Sequence, residues 1–181
     1  PLGARVGARR LVRMAEAYGF NTRPHVPAAK ASRISKPGKL KDSLAVGAAA
    51  IGQDRDLATP LQMAVVGAAI GARGRRAEPR IVRNDPIHRR RVVSRRVASQ
   101  IRDMMIGVVR SGTGTAAALP GVEVAGKTGT AELRPNSSDP RDADAWFVAF
   151  APAIRPKVAV GVMLVGAGFG GRADLSGGQW Q

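Results

Sequence analysis

The sequence predicts an α+β fold, because helical patterns fill its first part and strand patterns follow. Apolar residues recur at helical spacing in three segments, 3–18, 60–70 and 95–110. Segments with strand patterns come after them, at 122–133, 145–151 and 157–165. Successive strands with short connections usually pair antiparallel, so we expect C-terminal antiparallel strands packed with helices.

Residues at the ends of these helices support their boundaries. Gly19 suits the C-terminus of the first helix, since glycine readily adopts the left-handed conformation. Thr59 can cap the second helix, and Pro60 suits its first turn, where the missing N–H would be unpaired anyway. Ser94 can cap the third helix. Five apolar side chains of that helix are expected to face inward: Val97, Ile101, Met104, Met105 and Val108.

Positive charge is concentrated in two blocks of the chain, whose formal net charge is +16. Residues 1–41 hold ten basic side chains and one acid, and 73–96 hold ten arginines and two acids. Strand candidates at 77–83 and 91–93 flank an exposed turn in the second block. Such a field attracts polyanions, so a basic module that binds nucleic acid or an anionic polymer is one alternative function. Aromatic residues make up only 4%, so we favour solvated arginines and expect no nucleic-acid partner.

Composition excludes several classes of site. The chain has no cysteine, which excludes a disulfide framework, Cys-ligated zinc and a cysteine nucleophile. It has two histidines, so we expect no metal centre and no cofactor. No apolar run approaches the roughly 20 residues of a transmembrane helix. The start at Pro1, without a signal-peptide pattern, predicts an internal piece of a longer chain.

The most informative stretch is Gly126-Lys127-Thr128-Gly129-Thr130, on the first predicted strand. Alternation along a strand places Lys127 and Gly129 on one face, and Thr128 and Thr130 on the other. A glycine in a strand lets another backbone approach closely, so a peptide-like ligand can lie along this edge. The threonine hydroxyls can bind its carboxylate, with the charge of Lys127 beside it.

Four stretches in this order resemble the transpeptidase domain of penicillin-binding proteins of the class B, monofunctional type. They are AAIGQ (49–53) with LATPLQMA (57–64), MMIGVV (104–109) with GTGTA (112–116), VAGKTGTAE (124–132) and AWFVAFAP (145–152). K-T-G is one of three motifs of penicillin-binding proteins and β-lactamases, with S-x-x-K and S-x-N-type motifs. The resemblance covers 1–165 and identifies that segment as the C-terminal part of such a domain.

The resemblance implies a serine D,D-transpeptidase that cross-links peptidoglycan stem peptides ending in D-Ala-D-Ala and is acylated by β-lactams. Lys127 would be its catalytic lysine within this chain, and Thr128, Gly129 and Thr130 its substrate-binding residues. A backbone N–H near Thr130 would complete the oxyanion hole. The implied location is the extracytoplasmic face of the bacterial cytoplasmic membrane, with membrane contact only through an N-terminal anchor outside this chain. Cell-wall synthesis proteins are possible partners.

Two motifs of the family do not occur here. No serine has a lysine three positions on, and no S-x-N is present. The resemblance therefore implies a partial β-lactamase/transpeptidase-like fold in which the first strands and the nucleophile helix lie upstream. We expect this chain alone to be inactive. The Gly-rich tail at 166–181 departs from the family, so we also expect the last helix to be absent and the sheet to leave an edge and an apolar face open. A catalytically dead cell-wall scaffold is a further alternative.

Overall fold

A computed structural model describes residues 2–53, 55–133, 139 and 142–166. Its main sheet has the strand order β3-β4-β5, with β3 at Ala125–Glu132, β4 at Ala143–Ala151 and β5 at Val158–Leu164. Both pairings are antiparallel, which confirms the predicted meander. The first strand begins at Ala125 and not at 122, because Val122 instead pairs with Leu119 in an isolated bridge.

The predicted helix over 3–18 is two helices. Helix α1 spans Leu2–Val6 and α2 spans Ala8–Tyr18. Gly7 separates them with φ 80°, a conformation that breaks the right-handed helical path. The prediction for Gly19 is confirmed: its φ is 111°, and its N–H donates back to the last turn of α2.

The next two helices are capped by side chains. Helix α3, Ser43–Ala50, begins at Asp42, whose carboxylate accepts from the Ala45 N–H at 2.8 Å. Helix α4, Pro60–Gly71, begins as predicted at Thr59, whose hydroxyl accepts from the Gln62 N–H at 3.1 Å. The Gln62 side chain is buried and donates to the Tyr18 carbonyl at 2.8 Å, which ties α4 to the end of α2.

An arginine-rich hairpin replaces the predicted strands at 77–83 and 91–93. Its strands are β1, Arg75–Ala77, and β2, Arg89–Arg91. Pairing ends after the Glu78 N–H donates to the His88 carbonyl, because Pro79 has no N–H to continue the ladder. Arg80 then folds over the loop and donates to the carbonyls of Arg83 and Asp85.

Arginines face one another across this hairpin. Arg75 pairs with Arg91, and Arg76 with Arg90. Directly opposed like charges destabilise a strand pair. Burial lowers the pKa of the Arg76 guanidinium, and the nearby charge of Arg90 lowers it further, against the opposing effect of Glu78. The hairpin therefore concentrates positive charge, which the salt bridge from Arg76 to Glu78 at 3.5 Å offsets only in part.

Helix α5, Arg95–Ser111, begins at Ser94 as predicted, with the Val97 N–H donating to its hydroxyl at 3.2 Å. Its buried residues are Ala98, Met105 and Val109. The prediction that Val97 and Met104 face inward is wrong, since they are 37% and 64% exposed. Successive helical residues lie about 100° apart, so Met104 cannot share the buried stripe centred on Met105.

Apolar clusters join the helices to the sheet and to one another. Helix α4 contacts β5 and β4, and α5 contacts β3. One cluster between them comprises Ile70, Met105, Ala125, Phe150 and Ala153. A second joins Val109 of α5 to Val124 and Ala149. A third cluster, centred on Val12, fills the space between α2 and α3.

One side of β5 is apolar and open among the described residues. Val158, Val160, Val162 and Leu164 are between 41% and 54% exposed. This agrees with the expected open apolar face. The expectations for the tail concern residues outside the described part of the chain, Gly166 excepted. No helix of the described residues has the length and hydropathy needed to cross a membrane.

Gly161 of β5 lies against the backbone of α4, and its replacement should be destabilising. A Cβ at Gly161 would lie 2.4 Å from the Pro60 carbonyl oxygen and 2.9 Å from the Ala64 nitrogen. These are backbone atoms, so α4 would have to move. We expect Gly161→Ala to lower the free energy of unfolding by about 1–3 kcal/mol in chemical denaturation.

Gly107→Ala is the matched control, because a Cβ there meets nothing within 4 Å and the residue is exposed on α5. It should raise the free energy of unfolding by about 0.5–1 kcal/mol. Equal effects of the two substitutions would contradict the close packing of α4 on β5.

Candidate functional site

Strand β3 forms one edge of the described sheet, because β4 is its single strand partner there. Gly126 is buried, and a Cβ at this position would lie 2.5 Å from the Phe147 ring and 3.1 Å from Val109. The glycine thus allows β3 to lie tightly between β4 and α5. Beyond it, Lys127, Gly129 and Thr130 are exposed and Thr128 is half-buried. The K-T-G residues therefore lie on an accessible strand edge.

Two side chains donate to backbone carbonyls along this edge. The Lys127 ammonium donates to the Thr128 carbonyl at 2.6 Å, and the Gln53 amide donates to the Thr130 carbonyl at 3.2 Å. Alternate residues of a strand direct their backbone groups to the same side, so both carbonyls point away from β4. The Thr130 N–H points the same way. An extended peptide would pair with these groups.

Lys127 lies in the register that alternation predicts. It pairs with Val148 and, through β4, with Gly161, whereas Thr128 pairs with Phe147. The two side chains thus start on opposite faces. The ammonium nevertheless reaches the strand edge by folding along the backbone to the Thr128 carbonyl. The structure therefore brings the charge of Lys127 beside the polar groups of Thr128.

Thr113 is a residue of this site that sequence reasoning missed. Its hydroxyl lies 2.6 Å from the Thr128 hydroxyl. The turn after α5 presents it there, with the Gly114 N–H donating to the Val108 carbonyl at 3.0 Å. The sequence signal for this residue was the G-T-G-T-A stretch at 112–116, which carries part of the family resemblance.

Gln53 was missed as well. It follows α3, and its own N–H donates to the Ala48 carbonyl at 3.0 Å, which holds the loop close to the helix. Its side chain then spans to β3, although 77 positions separate it from Thr130. The signal was its place in the A-A-I-G-Q stretch. Nothing local in the sequence connects that stretch to the strand.

The groups exposed along this edge are ones that can pair with an extended peptide. Carbonyl and N–H groups alternate along β3, with one cation and two paired hydroxyls beside them. Within the described part of the chain, no three His, Cys, Asp or Glu side chains lie close enough to hold a metal ion. The salt bridge between Arg110 and Glu123, at 2.7 Å, joins α5 to the segment that enters β3. It is solvent-exposed and contributes about 0–1 kcal/mol.

Comparison with known families decides the relationship. The penicillin binding protein transpeptidase domain matches residues 2–177 of this sequence. The chain belongs to the penicillin-binding protein transpeptidase family. The resemblance noted in the sequence is thereby confirmed, and so is the mixed fold of helices and antiparallel sheet.

The relatives are peptidoglycan enzymes of bacteria. Peptidoglycan D,D-transpeptidase PbpA of Mycolicibacterium smegmatis is 38% identical over 182 residues. Penicillin-binding protein A of M. tuberculosis, solved as an imipenem acyl-enzyme complex, superposes with a TM-score of 0.80 at 34% identity over 92% of this chain. Penicillin-binding protein 3 of the same organism, solved with aztreonam, gives 0.79 at 30% identity over 90% of this chain. The chain spans 36% of that PbpA and 39–41% of the two solved chains.

The contact between Thr113 and Thr128 can be tested by an isosteric change. Thr113→Val removes one hydroxyl and leaves the other without this partner. We expect the free energy of unfolding to fall by about 0.5–1.5 kcal/mol. Thr115→Val is the control, because its hydroxyl has no hydrogen-bond partner among the described residues. If both variants unfold alike in denaturant titrations, the contact does not stabilise this turn.

Proposed function

We propose that this chain carries the substrate-binding strand of a serine D,D-transpeptidase that cross-links peptidoglycan stem peptides and is acylated by penicillin. The observation that carries the proposal is the exposed edge of β3, where Lys127 and the carbonyls of Thr128 and Thr130 lie together. A stem peptide ending in D-Ala-D-Ala has an extended backbone and a terminal carboxylate. Both features match this edge.

Each residue has a distinct role in the proposal. Lys127 supplies positive charge beside the substrate carboxylate and polarises the hydroxyls of the active site. The hydroxyls of Thr128 and Thr130 donate to that carboxylate. Gly129 has no side chain, so a peptide backbone can approach the strand closely there. The Thr130 N–H, on the outer edge of β3, stabilises the oxyanion of the tetrahedral intermediate together with the N–H of the nucleophile.

Thr113 is a positioning residue in this scheme. A hydroxyl has one proton to donate. If Thr113 donates its proton to Thr128, then the proton of Thr128 remains free for the substrate carboxylate. The 2.6 Å contact between the two hydroxyls supports this arrangement.

The covalent step needs a serine and a lysine base that this sequence does not contain as an S-x-x-K motif. We therefore infer that residues 1–165 are the C-terminal part of a transpeptidase domain and that the chain is inactive by itself. The β-lactam acyl-enzymes of M. tuberculosis penicillin-binding protein A support acylation in the family. Because peptidoglycan is assembled outside the cytoplasm, we infer that the parent protein acts at the extracytoplasmic face of the cytoplasmic membrane.

The inactivity of the isolated chain is tested with a fluorescent penicillin. After incubation and denaturing electrophoresis, we expect no labelled band at the size of this chain, because no serine is activated for attack. M. smegmatis PbpA serves as the positive control. A stable band that excess unlabelled penicillin removes would show that the chain has its own nucleophile, and would overturn the inference.

Recognition by the β3 edge is tested separately, with a peptide that ends in D-Ala-D-Ala. NMR titration of the labelled chain should show saturable shifts at residues 126–131. Lys127→Ala should weaken binding by about tenfold or more, since it removes a charged partner of the carboxylate. Lys157→Ala, an equal charge change outside β3, should leave affinity within twofold.

Gln53→Ala should change the same affinity in the opposite direction. The Gln53 amide occupies the Thr130 carbonyl, which an added peptide strand would use. Removing it should strengthen binding by about two- to tenfold. Gln100→Ala, on the exposed side of α5, is the control. Absence of peptide binding in every variant would count against the proposed function, whereas unchanged affinity in Gln53→Ala would count against the competition alone.

A further inference from the structure

A cavity of about 250 Å³ lies between the C-terminal end of α4 and the first turns of α5. Three arginines, Arg73, Arg95 and Arg102, line it together with Ser99. Ile70 and Ala98 contribute an apolar floor. The cavity is formed by α4, α5 and the turn after α4, and it contains none of the residues assigned to the β3 edge.

No acidic residue lines this cavity. Arg102 donates through Nε and Nη2 to the Asp103 carboxylate, at 2.9 and 2.7 Å, and through Nη2 to Ser99 at 2.8 Å. These contacts hold its guanidinium in place and leave Nη1 without a partner among the described residues. Neither Arg73 nor Arg95 forms a salt bridge to a described carboxylate. Three cations thus share one concave space with a single carboxylate beside them.

Arg73 has a backbone conformation that is unfavourable for a residue with a side chain. Arg73 has φ 56°, in the left-handed region that glycine adopts at lower cost, and Gly74 follows it. The turn therefore does not require an arginine at this position. Its carbonyl accepts from Arg91 Nη1 at 3.1 Å, which ties the cavity rim to the arginine hairpin. The hairpin adds further positive potential at this side of the molecule.

We propose that this cavity is a binding site for a phosphate group, separate from the transpeptidase site. Arginine forks bind tetrahedral oxyanions through paired N–H donors, and a phosphate carries enough charge and enough oxygens to engage more than one of them. A carboxylate carries one charge and saturates a single fork. The start of α5 adds the partial positive charge of a helix N-terminus, which the nearby C-terminus of α4 partly offsets. The site would let a phosphate-bearing ligand dock while the β3 edge remains accessible.

The test uses inorganic pyrophosphate as the probe, with the whole chain in 150 mM salt. Isothermal titration should show saturable binding, and NMR should show the largest amide shifts at Ala98 and Ser99. The double variant Arg73→Gly, Arg95→Ala should weaken binding at least tenfold. Folding is preserved in this variant by design, since glycine suits φ 56° and Arg95 is exposed. Arg95→Lys, which keeps the charge without the planar fork, should bind more weakly than the unchanged chain.

Two comparisons decide whether the cavity recognises phosphate. Arg9→Ala, Arg13→Ala removes the same charge from the exposed side of α2 and should change affinity less than twofold. An equal loss of affinity in both double variants would show that binding depends only on the net positive charge of the chain, and would overturn the proposed site. Citrate at equal concentration should bind at least tenfold more weakly than pyrophosphate. Equal binding of citrate would overturn the assignment to phosphate.

Discussion

Close packing at two glycines holds the elements around β3 in place. At Gly161 the backbone of α4 approaches β5 more closely than any side chain would permit, and at Gly126 the ring of Phe147 and Val109 press against β3. Contacts of backbone atoms and of an aromatic ring thereby fix the positions of α4 and α5 on the sheet. One edge of β3 is occupied by β4. The other edge has no strand partner among the described residues, and its geometry depends on this packing.

An exposed strand edge can pair with other strands, and two side chains protect this one. Lys127 and Gln53 donate to the carbonyls that an added strand would use. A lysine on an edge strand also discourages pairing through its charge and solvation. The same contacts can give way to a ligand, because each involves a single exposed hydrogen bond. The protection of the edge and its proposed recognition of peptide would therefore use the same groups.

Charge and peptide recognition occupy different parts of the molecule. The opposed arginine pairs of the β1–β2 hairpin, and the arginines at the start of α5, belong to elements outside the main sheet. The β3 edge contributes one lysine to the charge of the chain. Most of the net charge of +16 thus lies outside the proposed peptide site. This separation allows the two proposed sites to be tested by independent substitutions.

Local sequence patterns predicted many elements of this protein correctly. The predictions that were wrong also have physical reasons. Thr59 and Ser94 cap their helices as expected, because a cap depends on residues within one turn. Gly7, with its positive φ, interrupts the helix that apolar spacing predicted over 3–18. Pro79, which has no N–H, ends the pairing of the hairpin strands earlier than predicted. Met104 faces solvent because the direction of a helix face depends on what packs against it.

The sequence by itself determined that helices precede the three strands of the main sheet, and it determined the family and the K-T-G residues, since these depend on residue types and spacing. It did not predict helix α3. Only the tertiary structure decided that Thr113 meets Thr128, that Gln53 covers the Thr130 carbonyl and that three arginines line one cavity. Such contacts join residues up to 77 positions apart. They follow from the angle and depth at which helices pack on a sheet, and no local pattern in the chain encodes those quantities.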